Sequence, residues 1–194
     1  IQYCWNTGAL SGDGTGGICG IYSGKETGTH VIKYCYNTGN ISNTHSGGIS
    51  GYVTGTYGLV TIFNCYNTGN GNGSNYQAGI CGGFTNSVNV YNCYNTGTNL
   101  GNGIIGWASD GTQTIKNCYS VGGVDISFGT LTNCKSSDSW DDTIAYYTIG
   151  QNAYLDASGN ALADIRWNNN NVTEWMIHDK SDTTIGGSFM NEYT

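Results

Sequence analysis

Proline is absent from this chain, and so is any long apolar run. No uninterrupted stretch approaches the roughly 20 residues of a membrane-spanning helix, which argues against membrane insertion. With no proline and no Gly-X-Y period, collagen is excluded. Charge is scarce as well, at 10% of 194 residues, and only six of those are Lys or Arg. A basic patch for nucleic acid or anionic lipid cannot be assembled from so few cations. The helix formers Ala, Leu, Glu and Lys give way to Gly, Asn and Thr, which excludes a helical bundle. Aromatics at 12% argue against disorder.

The few charges are unevenly placed. Residues 1–135 hold four acids (Asp13, Glu26, Asp110, Asp125) and four bases (Lys25, Lys33, Lys116, Lys135). Residues 136–194 hold the other nine acids against Arg166 and Lys180, so the whole net charge of −7 lies there. This shift sets an expected boundary near residue 136.

Two interleaved repeats fill the neutral part. One reads IQYCWNTG at 1–8, IKYCYNTG at 32–39, IFNCYNTG at 62–69 and VYNCYNTG at 90–97, then decays through IKNCYSVG at 115–122 to LTNCKSSD at 131–138. Its cysteines (Cys4, Cys35, Cys65, Cys93, Cys118, Cys134) are 31, 30, 28, 25 and 16 residues apart. The other reads GGICG at 16–20, GGISG at 47–51, AGICG at 78–82 and NGIIG at 102–106. A period near 30 built from short β-prone pieces and turn residues predicts an all-β fold, a parallel β-solenoid with about three strands per coil and five to six coils. Coils stacked at about 4.8 Å place equivalent residues in columns. Ile1, Ile32, Ile62, Val90, Ile115 and Leu131 should form one inward apolar column, and Ile18, Ile49, Ile80 and Ile104 another. Asn6, Asn37, Asn67 and Asn95 should form a ladder of amide hydrogen bonds. Trp5, Tyr36, Tyr66, Tyr94 and Tyr119 should stack; inward rings would be core, whereas with cysteine inward, the preferred reading, they face outward as a strip suited to sugar rings.

The Gly-Ile-x-Gly segments, alternating with the Asn-Cys-Tyr-Asn-Thr-Gly type, resemble the GLUG-motif repeats of bacterial surface proteins. The resemblance covers residues 1–135, with isoleucine standing where leucine gives the family its name. It implies an exported, surface-displayed module. Such repeats also occur in immunoglobulin-cleaving metallopeptidases, outside the catalytic part, and no His-Glu-x-x-His zinc signature occurs here. Residue 1 already lies inside a repeat, so the chain reads as a fragment of a larger exported protein. Residues 136–194 read as a C-terminal cap or extension that closes the exposed strand edges.

Candidate chemistry is sparse. Six cysteines at one repeat position read as a packing column, although stacked Cα atoms also lie within disulfide range. Cys19 and Cys81 sit two coils apart, too far to bond. No CxxC occurs, and no cofactor, metal or catalytic residue is expected. His30, His45 and His178 read as surface or capping residues. The acids Asp138, Asp141 and Asp142 are the best place for a carboxylate pair. The expected function is a non-enzymatic adhesin or rigid spacer, extracellular or on the bacterial cell surface, whose partner is an extracellular glycan or a host or environmental surface protein. The alternatives are a polysaccharide hydrolase or lyase and a fibre subunit that self-associates end to end.

Overall fold

The computed structural model describes residues 1–21, 28–53, 58–84, 87–108, 112–121, 130–132 and 134–137. Of the expected cap only Ser136 and Ser137 are described, in a strand that continues the array across the expected boundary; the acids Asp138, Asp141 and Asp142, Arg166 and His178 lie outside the described residues.

The described chain is a parallel β-solenoid. One sheet stacks the Cys-aromatic-Asn segments as β1 (Trp5–Asn6), β3 (Tyr36–Asn37), β6 (Tyr66–Asn67), β9 (Tyr94–Asn95), β11 (Tyr119–Val121) and β13 (Lys135–Ser137). A second sheet stacks the β-branched segments as β2 (Gly28–Lys33), β5 (Gly58–Phe63), β8 (Val88–Tyr91), β10 (Gln113–Lys116) and β12 (Thr130–Thr132). The third face carries the Gly-Ile segments. There β4 (Ser50–Val53) pairs with β7 (Cys81–Phe84), and single bridges extend the column from Cys19 to Ser50 and from Cys81 to Ile105. Every pairing is parallel.

Four coils are complete on all three faces among the described residues. A fifth shows two faces and a sixth only β13. The expected five to six coils therefore holds for the first two sheets and not for the third face, because the Gly-Ile segment occurs only four times.

The register follows the sequence repeats. Ile32 pairs with Ile62, Ile62 with Val90, Val90 with Ile115 and Ile115 with Leu131. Ile49, Ile80 and Ile104 stack opposite them, fully buried. Only the column ends, Ile1 and Leu131, are exposed. Burial of these β-branched side chains between two sheet faces supplies the apolar drive for each coil.

One backbone device joins the first two sheets. The residue before Cys4, Cys35, Cys65, Cys93 and Cys118 adopts a left-handed conformation: Tyr3 and Tyr34 at φ 56°, Asn64 at 53°, Asn92 at 50° and Asn117 at 53°. Asparagine tolerates this region better than most residues, which explains its recurrence there. The corner resets the alternation of side chains. Ile32 and Cys35 consequently both face the core although three residues separate them.

Candidate functional site

The asparagine ladder is continuous. Asn6 Nδ2 donates to Asn37 Oδ1, Asn37 to Asn67 and Asn67 to Asn95, each at 2.7 Å, and Asn95 Nδ2 donates to Ser120 Oγ at 3.2 Å. Each amide also bridges its own turn. Asn67 Nδ2 donates to the Gly69 carbonyl at 2.8 Å, while Gly69 N–H donates to Asn67 Oδ1 at 3.2 Å. Asn37, Asn67 and Asn95 thus use two donors and two acceptors apiece and have no accessible surface. Full satisfaction is what permits burial of a carboxamide. The second repeat is tied to this ladder. A Cβ added at Gly79 would lie 2.3 Å from Asn95 Cγ, and one at Gly48 would lie 2.5 Å from Asn67 Oδ1. In the first three Gly-Ile segments, Gly17, Gly48 and Gly79 leave the space that the asparagine of the following copy fills. That is why the two motifs keep one period.

The aromatic column stacks as a run of parallel rings. Tyr36 and Tyr66 lie 4.9 Å apart at 3°, Tyr66 and Tyr94 4.9 Å apart at 9°, and Trp5 and Tyr36 6.3 Å apart at 17°. The rings occupy the opposite side of the strand from the inward Cys and Asn. Exposure falls sharply along the column, however. Trp5 is 43% exposed and Tyr66 half-buried, whereas Tyr36, Tyr94 and Tyr119 are buried. Burial raises the Tyr94 phenol well above its ordinary value. Solvent meets this strip at Trp5 and Tyr66, not along its length.

All eight cysteines are free thiols. The column thiols share one local role, because each Sγ reaches back across the left-handed corner to a carbonyl two residues earlier. The distances are 3.3 Å for Cys4, 3.1 Å for Cys35, 3.3 Å for Cys65, 3.2 Å for Cys93 and 3.4 Å for Cys118 and Cys134. A small, weakly donating, apolar side chain suits that position. In the other cysteine column, burial pushes the Cys81 thiol from 9.0 up to about 12. The folded state therefore binds more protons than the unfolded state between those values. The contribution of Cys81 to stability is intact below pH 9 and is lost as the pH climbs towards 12. Titration of the native protein with an aromatic disulfide at pH 8 should modify exposed Cys4 first. Cys35, Cys65, Cys81, Cys93 and Cys118 should react only after unfolding. Rapid native modification of more than three thiols would contradict this packing.

A second group of rings gathers at the corner leading into the Gly-Ile face. His45 stacks on Tyr76 at 4.8 Å and meets Tyr52 edge-on at 5.1 Å and Trp107 at 6.2 Å. Trp107 lies 6.0 Å from both Tyr52 and Tyr76. Asp13 Oδ1 sits 3.7 Å from His45 Nδ1 and also accepts from Thr44 Oγ1. Tyr76 is 40% exposed, and His45, Tyr52 and Trp107 are half-buried. His45 is thus the centre of an aromatic cluster rather than an isolated surface residue. None of these residues belongs to a regular column. A signal for them exists nonetheless, since aligning HSGGIS with YQAGIC places His45 one coil below Tyr76.

Among the described residues, no three His, Cys, Asp or Glu side chains are grouped to hold a metal ion. No helix among them is long and apolar enough to cross a membrane. Among protein-family models, curated proteins and solved structures, none matches this chain.

Proposed function

We propose that this chain is a non-enzymatic, rigid adhesive module of an exported bacterial protein, holding a recognition surface away from its point of attachment. One observation carries the reading: the ladder asparagines and the column thiols, which recur from coil to coil, are consumed by the coil itself. The asparagine amides saturate one another and their own turns, and the thiols bond backbone carbonyls inside the core. A stack in which each coil hydrogen-bonds only its neighbours extends reach in proportion to coil number. The resemblance to GLUG-motif repeats adds the exported, surface-displayed setting, with a glycan or a surface protein as partner.

The test pairs limited proteolysis with product analysis. Digestion should leave a resistant core that contains residues 28–121. Incubation with a panel of neutral and acidic polysaccharides should release no reducing ends or unsaturated products. Release of either product, or ready cleavage within the core, would overturn the reading.

A further inference from the structure

We infer that the His45 corner is a binding site for a neutral, hexose-based glycan. The inference rests on the adhesive reading above and assigns it a place, away from the Trp5–Tyr119 strip.

His45 and Tyr76 take φ values of 55° and 62°. Gly14, at the same place one coil earlier, has φ 67°. Glycine is the inexpensive solution to this corner, and a bulky ring there costs on the order of 1 kcal/mol. The coil does not require rings at this position, since Gly14 meets the same turn without one. Tyr3 and Tyr34 take φ 56° at the other corner, but there the rings pack with Phe63 and Tyr91, whereas the Tyr76 ring is 40% exposed and is presented to solvent.

Tyr52, Gly83 and Trp107 follow the Gly-Ile segments of three successive coils. Tyr52 and Trp107 thus lie two coils apart, yet their rings approach to 6.0 Å at 28° because Gly83 has no side chain between them. A Cβ at Gly83 would already touch the Tyr52 ring at 3.1 Å. Ile21 extends the apolar edge by one coil and is 45% exposed. The patch therefore runs along the stacking direction, one step of about 4.8 Å per coil, close to the advance of one pyranose in an extended chain.

Aromatic faces beside a hydrogen-bonding rim match the apolar face and hydroxyl edge of a sugar. The rim here is Asp13, its side chain 69% exposed, beside His45. An exposed carboxylate at the rim disfavours uronate and sulfate polymers by like-charge repulsion. A quaternary ammonium ion would need an empty aromatic box. The His45 ring already occupies the centre of this one, within 4.8–6.2 Å of its three neighbours.

Isothermal titration of the 194-residue chain decides the matter. The probes are hexasaccharides of glucose, mannose, galactose and N-acetylglucosamine, with hexagalacturonate and tetramethylammonium chloride as contrasts. At least one neutral hexasaccharide should bind saturably and more tightly than hexagalacturonate. Tyr76→Ala should weaken that binding about tenfold or more, with an unchanged thermal midpoint, because so exposed a ring contributes little to folding. Asp13→Asn should weaken it several-fold. Absence of binding by every neutral hexasaccharide overturns the site while leaving the rigid-module reading intact. Preference for tetramethylammonium overturns it too. So does loss of binding in Trp5→Ala with Tyr76→Ala unaffected, which would move recognition to the strip.

Discussion

Asn67→Ala should lower unfolding stability by about 3–5 kcal/mol, whereas Asn6→Ala should cost about 1 kcal/mol. Asn67 sits at mid-ladder, fully buried, and bonds Asn37, Asn95 and both backbone groups of Gly69. Truncation orphans one donor on Asn37 and removes the bonds to the Gly69 N–H and carbonyl, in a place water does not reach. Each unsatisfied buried group costs about 1–3 kcal/mol, so the losses accumulate. Asn6 begins the ladder, is only half-buried and lies beside solvent that can replace its bonds. The midpoint of urea unfolding, followed by far-ultraviolet circular dichroism, measures both. Equal effects at the two positions would mean that the ladder adds nothing beyond single hydrogen bonds.

Gly69→Ala should be more damaging still, at about 4 kcal/mol or outright failure to fold. The added Cβ would sit 2.0 Å from the Gly39 carbonyl oxygen and 2.7 Å from its carbon. Both are backbone atoms of the neighbouring coil, so no rotamer change relieves the clash. The coils would have to separate, and separation breaks the ladder at the same level. Gly20→Ala is the matched comparison, since nothing lies within 4 Å of its added Cβ. That substitution should be neutral or stabilise by about 0.5 kcal/mol through the unfolded chain. The same urea midpoints read the difference. A Gly69→Ala protein as stable as the parent would show that the coils pack less closely than these contacts require.

The solenoid was legible in the sequence wherever a residue recurs in every coil. The isoleucine columns, the Asn ladder and the alignment of Cys19 with Ser50, Cys81 and Ile105 need only the period, because stacking converts repetition into contact. The aromatic column was half legible. The stacking follows from the period, but the burial of Tyr36, Tyr94 and Tyr119 does not, since exposure depends on what packs across the column as well as on the repeat. The His45 corner was missed for the opposite reason. His45, Tyr52, Tyr76 and Trp107 each occupy a position that other coils fill with glycine, leucine or isoleucine, so no periodic signal marks them. Their adjacency appears only once the coils are aligned face by face and the missing side chain of Gly83 is counted as space.

The ladder also has a direction. Every carboxamide donates towards the C-terminal end, from Asn6 through Asn95 to Ser120, and none donates back. The amide dipoles therefore add head to tail, as peptide dipoles do in a helix. At its last described step the ladder passes to the Ser120 hydroxyl, which donates on to the Val121 carbonyl. Two copies related by a twofold axis would bring like ends together and leave the ladder broken at the junction. Any union that continues the ladder must repeat in one sense, which generates an open polar filament and not a closed dimer.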